Sequence, residues 1–338
     1  MVLVTGATGH IGNVLVRQLL SRGEAVRALI HKDENKKALD GLKVEMVKGD
    51  VRNPDSLLQA FRGIDVVYHL AGIISILPGQ NRLLHQVNIV GTQNIVKACL
   101  KTGVKRLVYT SSIHAIEESA CGTVIDETMP FNPEKVPGGY GRSKARAALA
   151  VLKGVEQGLD TVIVCPTGVT GPYDHNISEI GQLIIDFANG NLKSYIDGAY
   201  DFVDVRDVAR GIILAGEKGR RGESYILSGE QVTVYELLSM LQESTGLKAP
   251  SFKAPIWLAR MAAKVTPIYY RLTGTNPRFT TYSIDVLCSN STISSEKARR
   301  ELGFTTRPIR ESIADATLWF VENGNIPSLT MPQLARSS

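Results

Sequence analysis

Tyr140 and Lys144 have the spacing of a proton-transfer pair. Residues four apart lie on one face of a helix, so the two side chains can meet. A lysine ammonium beside a phenol favours the phenolate, and we therefore expect the pKa of Tyr140 to lie below its ordinary value of about 10. Tyr140 could then give a proton to a carbonyl oxygen or take one from an alcohol. Of the eleven tyrosines, only Tyr140 has a lysine four residues on.

Ser112 offers a hydroxyl that could act beside this pair. An apolar run over Arg106–Thr110 predicts a buried strand that delivers Ser111 and Ser112 to its carboxyl end, the edge along which parallel sheets bind ligands. The Ser112 hydroxyl could hold a substrate oxygen on which negative charge develops. A serine pair after a strand is also typical of a turn or a helix cap. We predict that the catalytic residues are Ser112, Tyr140 and Lys144.

A glycine-rich turn predicts a dinucleotide site. The first apolar strand runs into the segment TGATGHIG at 5–12, and an apolar helix follows. Gly6 permits a tight turn, Gly9 lets the backbone approach a pyrophosphate, and Gly12 lets helix and strand pack closely. The helix N-terminus adds N–H groups and a positive dipole end. Lys144 could then also hydrogen-bond the nicotinamide ribose, which indicates hydride transfer.

The end of the second strand favours NADP(H) as the cofactor. An acid at that position accepts hydrogen bonds from the adenosine ribose, whereas a cation prefers a 2′-phosphate. Here Ile30 occupies the position, His31 and Lys32 follow it, and Asp33 comes three residues late. A solvated strand end would also explain Lys32, so NAD(H) stays possible.

Short apolar strands alternate with amphipathic helices through the first two-thirds of the chain. The strands are continuous β-branched runs, as expected when helices cover both faces of a sheet. The predicted fold class is therefore α/β, a doubly wound parallel (Rossmann) sheet with a smaller, mainly helical C-terminal substrate domain. The predicted strands are Val2–Val4, Ala25–Ile30, Val44–Val47, Asp65–His69, Arg106–Thr110, Thr161–Cys165, Asp201–Val205 and Ser224–Leu227. The predicted helices are 11–21, 54–61, 81–101, 140–156, 177–189 and 207–215.

The same rhythm suggests the domain boundaries. Residues 1–170 and 200–229 form the predicted NAD(P)-binding domain. Residues 171–199 and 230–323 form the predicted substrate-binding domain, and 324–338 are a tail.

Composition excludes several other classes of protein. The net charge of +5 is spread along the chain, which argues against nucleic-acid binding. The six histidines lack metal-ligand spacing, so we expect no metal site. The four cysteines form no C-x-x-C pair, no run is long enough to span a membrane, and the first strand leaves no room for a signal peptide. We therefore expect a cytoplasmic protein with a small-molecule substrate.

The chain resembles the extended short-chain dehydrogenase/reductase family over about residues 2–320. The resemblance is carried by the glycine turn and by GDV at 49–51, HLAG at 69–72, VNIVGT at 87–92, YTSS at 109–112, YGRSK at 140–144, CPTGVTGP at 165–172 and DFVDVRDVARG at 201–211. It implies Asp50 and Val51 beside the adenine, Leu70-Ala71-Gly72 along the cofactor, and Asn88 as a structural and proton-relay residue. It also implies Pro166 and Thr167 as backbone partners of the carboxamide, and a homodimer. The full predicted cofactor-binding set is Gly6, Thr8, Gly9, His10, Ile11, Gly12, His31, Lys32, Asp50, Val51, Leu70, Ala71, Gly72, Asn88, Thr110, Ser111, Tyr140, Lys144, Pro166, Thr167 and Val169.

The branch of the family depends on a few positions. Nucleotide-sugar members usually have Asn where this chain has Thr167, and an Arg where Tyr200 precedes Asp201. The pattern is closest to dihydroflavonol reductases and 3β-hydroxysteroid dehydrogenases, so we predict an oxidoreductase of apolar ketones or secondary alcohols. A nucleotide-sugar epimerase or dehydratase, with Arg206 or Arg278 as substitute clamp, and a non-catalytic NADP-sensing protein stay open. An apolar stripe of Trp257, Met261 and Val265 could line a pocket or pack on the core, and we interpret His114 as a loop residue.

Overall fold

A parallel sheet forms the centre of the molecule. The structure, a computed structural model, describes residues 1–32, 34–74, 81–117, 119–120, 122–263 and 281–327. The strands of the larger sheet are β1 Val2–Thr5, β2 Val26–Ile30, β3 Glu45–Lys48, β4 Val66–His69, β5 Arg106–Thr110, β6 Thr161–Pro166 and β9 Ser224–Leu227. Every neighbouring pair in it is parallel, in the order β3-β2-β1-β4-β5-β6-β9. The predicted Rossmann-type fold is confirmed.

Helices cover both faces of this sheet. The helices are α1 His10–Ser21, α2 Pro54–Ala60, α3 Asn81–Leu84, α4 Thr92–Thr102, α5 Gly139–Glu156, α6 Glu179–Ala188, α7 Val205–Lys218, α8 Val234–Thr245, α9 Thr281–Leu287, α10 Glu296–Leu302 and α11 Ile309–Glu322. Apolar residues of α1 and α7 pack on one face, and those of α2, α4 and α5 on the other. The strands are therefore buried on both sides, which explains their continuous apolar runs.

A second, three-stranded sheet stands apart from the first. It contains β7 Gly168–Thr170, β8 Ala199–Asp204 and β10 Glu230–Thr233, in the order β10-β8-β7. The strand that we predicted over Asp201–Val205 lies in this sheet and not in the larger one. Its apolar side chains pack with α6, α8 and α11 in a separate core.

The helix predicted over 81–101 contains a π-helical segment. α3 is followed directly by a π-helix at His85–Gly91, which continues into α4. Such wide turns occur preferentially at functional sites, because they re-aim side chains without ending the helix. Here the wide turn carries Asn88.

The strand order reverses between β1 and β4, since β2 and β3 extend to one side and β5 and β6 to the other. Ligands of doubly wound sheets bind in the crevice at such a reversal, beyond the carboxyl ends of the strands. Within the ranges that the structure describes, no helix has both the length and the apolar composition to cross a membrane.

Candidate active site

Tyr140 and Lys144 lie on the first turns of α5, beside the carboxyl end of β5. Helix α5 starts at Gly139, after Gly138 with a positive φ of 72°. Lys144 is buried, and its Nζ donates to the carbonyl oxygen of Thr110 at 2.7 Å. Ser112 lies at the start of the turn after β5, close enough to Tyr140 to act against the rise in its pKa. The structure therefore brings together the three residues predicted to be catalytic.

The prediction that Lys144 lowers the pKa of Tyr140 is wrong. Burial raises the pKa of Tyr140 to about 12, and the neighbouring Ser112 only partly offsets this effect. Burial also lowers the pKa of Lys144 to about 8. Desolvation disfavours the charged form of each group, and it is the largest cause of both shifts. The phenol is consequently protonated at neutral pH, so the site is prepared to give a proton.

Asn88 connects the segment after β4 to the start of α5 through its side-chain amide. Its side-chain amide accepts from the N–H of Ile73 at 2.8 Å and donates to the Ile73 carbonyl at 3.0 Å. The same Nδ2 donates to Ser143 Oγ at 2.9 Å, and Ser143 donates to the Tyr140 carbonyl at 2.7 Å. The π-helical segment thus places an amide that fixes the backbone on both sides of the site.

The glycine turn leaves no room for side chains where strand, turn and helix meet. Gly6 has a positive φ of 67°. A Cβ on Gly12 would lie 2.0 Å from the Gly6 carbonyl oxygen, and one on Gly6 would lie 2.7 Å from Ala71 N. Helix α1 begins at His10, and the residue before it, Gly9, provides no side-chain cap; its first turn contains no acid. Its N-terminal N–H groups and this bare turn fit an anionic pyrophosphate.

A buried histidine connects the glycine turn to α4. Thr92 donates its hydroxyl proton to the Asn88 carbonyl at 2.6 Å, so it must accept from His69 Nε2, which lies 3.1 Å away. Thr5 Oγ1 lies 2.7 Å from His69 Nδ1 and accepts from Ala71 N at 3.1 Å. The network therefore places a proton on Nε2 of His69, and in the neutral ring Nδ1 accepts from the Thr5 hydroxyl. Burial lowers the pKa of His69 to about 3.

We expect His69 to make stability fall as the pH drops below 6.5. The unfolded chain takes up a proton near 6.5 and the folded chain only near 3, so stability is complete above 6.5 and is lost between the two values. Urea unfolding from pH 7 to pH 4 should show a slope that is steeper, by up to about 1.4 kcal/mol per pH unit, in the wild type than in His69→Gln. The variant of an exposed histidine, His85→Gln, should follow the wild type. Parallel curves for His69→Gln and the wild type would contradict this assignment.

Cations cluster at the ends of β2 and β3. Arg52 donates to Asp50 Oδ1 and Oδ2 at 3.0 and 2.6 Å, and this hydrogen bonding lowers the pKa of Asp50. His31 Nε2 lies 3.4 Å from Asp50 Oδ2, and Lys32 is exposed beside it. Sequence reasoning missed Arg52, although a cation two residues after the GD pair was a usable signal. Asp33 lies outside the described residues.

An acid that sequence reasoning also missed lies against the glycine turn. Thr8 donates its hydroxyl to Glu34 Oε2 at 3.2 Å. Burial raises the pKa of Glu34, and the hydrogen bond from Thr8, which lowers it, offsets only part of this rise. The Glu34 carboxylate could therefore accept hydrogen bonds from ribose hydroxyls. It is protonated more readily than an exposed acid.

The segment after β6 lies at the far side of the crevice. Thr167 donates its hydroxyl to Asp201 Oδ1 at 2.6 Å, and burial raises the pKa of Asp201 to about 6. The N–H of Thr167 donates to the Leu227 carbonyl at 3.3 Å. Val169 pairs with Val203 in the smaller sheet.

The loop after β7 covers the glycine turn. His10 Nε2 lies 3.0 Å from the Pro172 carbonyl, and Asn176 donates to the Thr8 carbonyl at 3.1 Å. Tyr173 and Ile177 have positive φ values of 69° and 45°, which are uncommon for residues other than glycine. Sequence reasoning placed His10 at the cofactor but missed this loop, because its contacts span more than 150 residues of chain.

His114 lies in the connection between β5 and α5, where its ring is beside that of Tyr140. It belongs to a single 3₁₀ turn, Ile113–Ala115, in which Ser112 Oγ accepts from the His114 N–H. Its Nε2 shares a hydrogen bond of 2.8 Å with Tyr200 Oη. Among the residues that the structure describes, no cluster of three or more His, Cys, Asp or Glu could hold a metal ion.

Comparison with known proteins decides the family. The profile of the NAD dependent epimerase/dehydratase family matches residues 2–228. The chain belongs to this family. Its predicted resemblance to extended short-chain dehydrogenases/reductases, with a dihydroflavonol reductase-like pattern, is confirmed. Membership makes it an enzyme of the NAD-dependent oxidoreductase and epimerase type.

Three similar proteins show how far the likeness extends. "Sterol demethylase protein B" of Methylococcus capsulatus is 40% identical over 96% of this chain and 99% of its own length. "Putative dihydroflavonol 4-reductase" of Synechocystis sp. is 34% identical over 96% and 95%. The crystal structure of gox2253 superposes with a TM-score of 0.85 at 34% identity, covering 96% and 99% of the two chains. The family fold therefore spans nearly the whole chain.

Proposed function

We propose that this family member transfers a hydride between a nicotinamide dinucleotide and an apolar ketone or secondary alcohol. The observation that carries the proposal is the meeting of Ser112, Tyr140 and buried Lys144 at the carboxyl end of β5. Two relatives bear names that refer to a sterol and a dihydroflavonol, which are uncharged ring compounds. The catalytic residues support the reaction, and the relatives' names support the class of substrate.

The chain supplies the proton and the charge stabilisation for this reaction. A bound nicotinamide dinucleotide supplies or accepts the hydride. In the reduction, the protonated phenol of Tyr140 gives its proton to the carbonyl oxygen, while the Ser112 hydroxyl donates a hydrogen bond to that oxygen. The Lys144 ammonium, one helical turn from Tyr140, stabilises the phenolate that results. In the oxidation, the same phenolate takes the proton of the alcohol.

The described site offers little to a nucleotide diphosphate. Tyr200 stands where a clamping arginine is expected, and its hydroxyl is bonded to His114. Arg206 is bound to two carboxylates, Asp204 at 2.7 Å and Asp315 at 2.6 Å, which together outweigh its single charge. Arg278 lies outside the described residues. A buried diphosphate without cationic partners would lose its hydration with no favourable contact in return.

These contacts favour an apolar substrate over the epimerase or dehydratase alternative. The presence of Ser112, Tyr140 and Lys144 disfavours a sensor without turnover.

The apolar stripe does not pack on the core, because Trp257 and Met261 are 68% and 58% exposed. Trp257 does line a cavity, together with Asp197 and the segment 253–256. Val265 lies outside the described residues. The proposal depends on the catalytic residues and not on this stripe.

Ligand-induced thermal shifts, measured with NADP⁺ present, test the substrate class. We expect a 3-keto steroid or a flavanone to stabilise the protein saturably, and UDP- and dTDP-sugars to leave the melting temperature unchanged. Stabilisation by a nucleotide sugar at micromolar concentration, with none from the ring ketones, would instead support the epimerase or dehydratase.

We also propose that NADP(H) is the preferred cofactor, and expect NADPH to bind more tightly than NADH. The side chains of His31, Lys32 and Arg52 follow β2 and β3, where we expect a 2′-phosphate to bind, and Asp50 holds Arg52 in position. One charge-assisted contact is worth about 1.5–3 kcal/mol, so Arg52→Ala should weaken NADPH binding by about ten- to a hundredfold and leave NADH unchanged. Calorimetric titration measures both affinities.

Lys101→Ala, which removes a surface cation in the last turn of α4, is the matched control and should change neither affinity. Equal affinities of the wild type for NADPH and NADH would show that the cations do not reach the phosphate. The carboxylate of Glu34 would then be the group that decides the cofactor.

A further inference from the structure

Three rings meet beside the proton donor. The His114 imidazole lies edge-on to the Tyr140 ring, with centroids 6.4 Å apart and planes at 71°. The Tyr200 ring is nearly parallel to the imidazole, at 14° and 5.9 Å. All three side chains are only partly buried, so each keeps some ring surface accessible. Together they present apolar ring surface next to the reacting phenol.

The backbone around this cluster holds its members in place. Ser112 Oγ accepts from the His114 N–H at 3.2 Å, so the catalytic serine also anchors the histidine. A Cβ on Gly141 would lie 2.6 Å from the His114 carbonyl oxygen, and one on Gly168 would lie 2.7 Å from Tyr200 Cε1. Both glycines are therefore needed for His114 and Tyr200 to lie where they do.

The hydrogen bond between His114 and Tyr200 joins the two halves of the site. His114 follows β5 of the larger sheet, and Tyr200 lies in β8 of the smaller one. The two residues are 86 positions apart in the chain, and their side chains meet at 2.8 Å. Burial lowers the pKa of His114 to about 4, so the imidazole is neutral near pH 7. A neutral ring adds no charge to the site, which suits an uncharged substrate.

We propose that His114 and Tyr200 are a pair of positioning residues that select substrates with a rigid ring next to the reacting carbon. His114 holds the Tyr200 ring against the crevice, and the two rings pack against the substrate while its oxygen lies between Ser112 and Tyr140. A rigid ring system gains this contact without losing internal freedom, whereas a flexible chain must give up rotational entropy to make it. The inference rests on the proposed oxidoreductase function and names its substrate class more narrowly.

Kinetics with two ketones test the pair. The probes are a 3-keto steroid and the acyclic 2-decanone, each with NADPH. Tyr200→Phe keeps the ring but removes the hydroxyl, and His114→Leu removes the other partner. Loss of one hydrogen bond is worth about 1 kcal/mol, so each variant should lower kcat/KM for the steroid by about five- to tenfold, mainly through KM. We expect 2-decanone to change by less than about twofold, because its contacts with the rings are weak.

Two further variants separate positioning from general structural damage. His114→Gln places an amide near the position of Nε2 and should restore most of the steroid activity that His114→Leu loses. The double variant His114→Leu/Tyr200→Phe should be no worse than either single variant, because both remove the same bond. Tyr235→Phe, at a tyrosine that is 65% exposed, should match the wild type.

The outcomes distinguish this inference from the proposed function. If the variants slow both ketones equally, or slow neither, or if His114→Gln is no better than His114→Leu, the positioning role is overturned while the oxidoreductase function stands. If the wild type reduces neither ketone nor any member of a broader ketone panel, both proposals are overturned.

Discussion

Tyr140→Phe should abolish turnover while cofactor affinity stays near that of the wild type. The substitution removes the proton donor but keeps the ring that packs beside His114. General acid catalysis is typically worth about 10²–10⁴-fold, so kcat should fall by that factor. The measurement is kcat with a ring ketone under conditions where chemistry limits the rate, together with NADPH titration.

The matched control is again Tyr235→Phe, which removes a phenolic hydroxyl far from the catalytic pair. A Tyr140→Phe enzyme that keeps more than about a tenth of the wild-type kcat would mean that another group gives the proton. The raised pKa of Tyr140 makes this a strong test, because the protonated phenol is present over the whole neutral pH range.

Gly12→Ala should destabilise the protein and remove cofactor binding. The added Cβ would lie 2.0 Å from the Gly6 carbonyl oxygen, and that atom is backbone, so no side chain can rotate away. Helix α1 would have to move off the sheet, and overpacking of this kind costs about 1–3 kcal/mol or more. Thermal unfolding and NADPH titration measure the two effects.

Gly9→Ala is the informative comparison for this prediction. Its Cβ would lie 3.3 Å from the same oxygen, a contact that a small adjustment can relieve. We expect Gly9→Ala to keep a melting temperature close to that of the wild type but to bind NADPH more weakly, because the new methyl group occupies the approach of the pyrophosphate. A Gly12→Ala protein with wild-type stability and affinity would refute the packing argument.

Local sequence signals predicted the larger sheet well. Arg106–Thr110 and Ser224–Leu227 are strands with the predicted bounds. Strands covered on both faces need continuous apolar runs, and these are visible in a single sequence. The glycine turn was equally readable, since its glycines are required by contacts within a few residues and by the adjoining strand end.

Features that depend on distant contacts could not be predicted in this way. Strand β8 belongs to a second sheet because it pairs with β7 and β10. These pairings depend on the folded chain, and no pattern within β8 itself indicates which sheet it joins. The bond between His114 and Tyr200 spans 86 residues, and no local pattern encodes it. The direction of the Tyr140 pKa shift was mistaken for a related reason, because burial is a property of the whole fold and is the largest cause of this shift.

Deuterium transfer tests the central claim most directly. The protein is incubated with a 3-keto steroid and NADPH deuterated at the nicotinamide C4 position, and the product alcohol is analysed by mass spectrometry. We predict deuterium on the carbinol carbon, with loss of one NADPH for each alcohol formed, and no transfer by Tyr140→Phe. Absence of transfer to any ring ketone, together with epimerisation or dehydration of a nucleotide sugar without net loss of cofactor, would contradict the account.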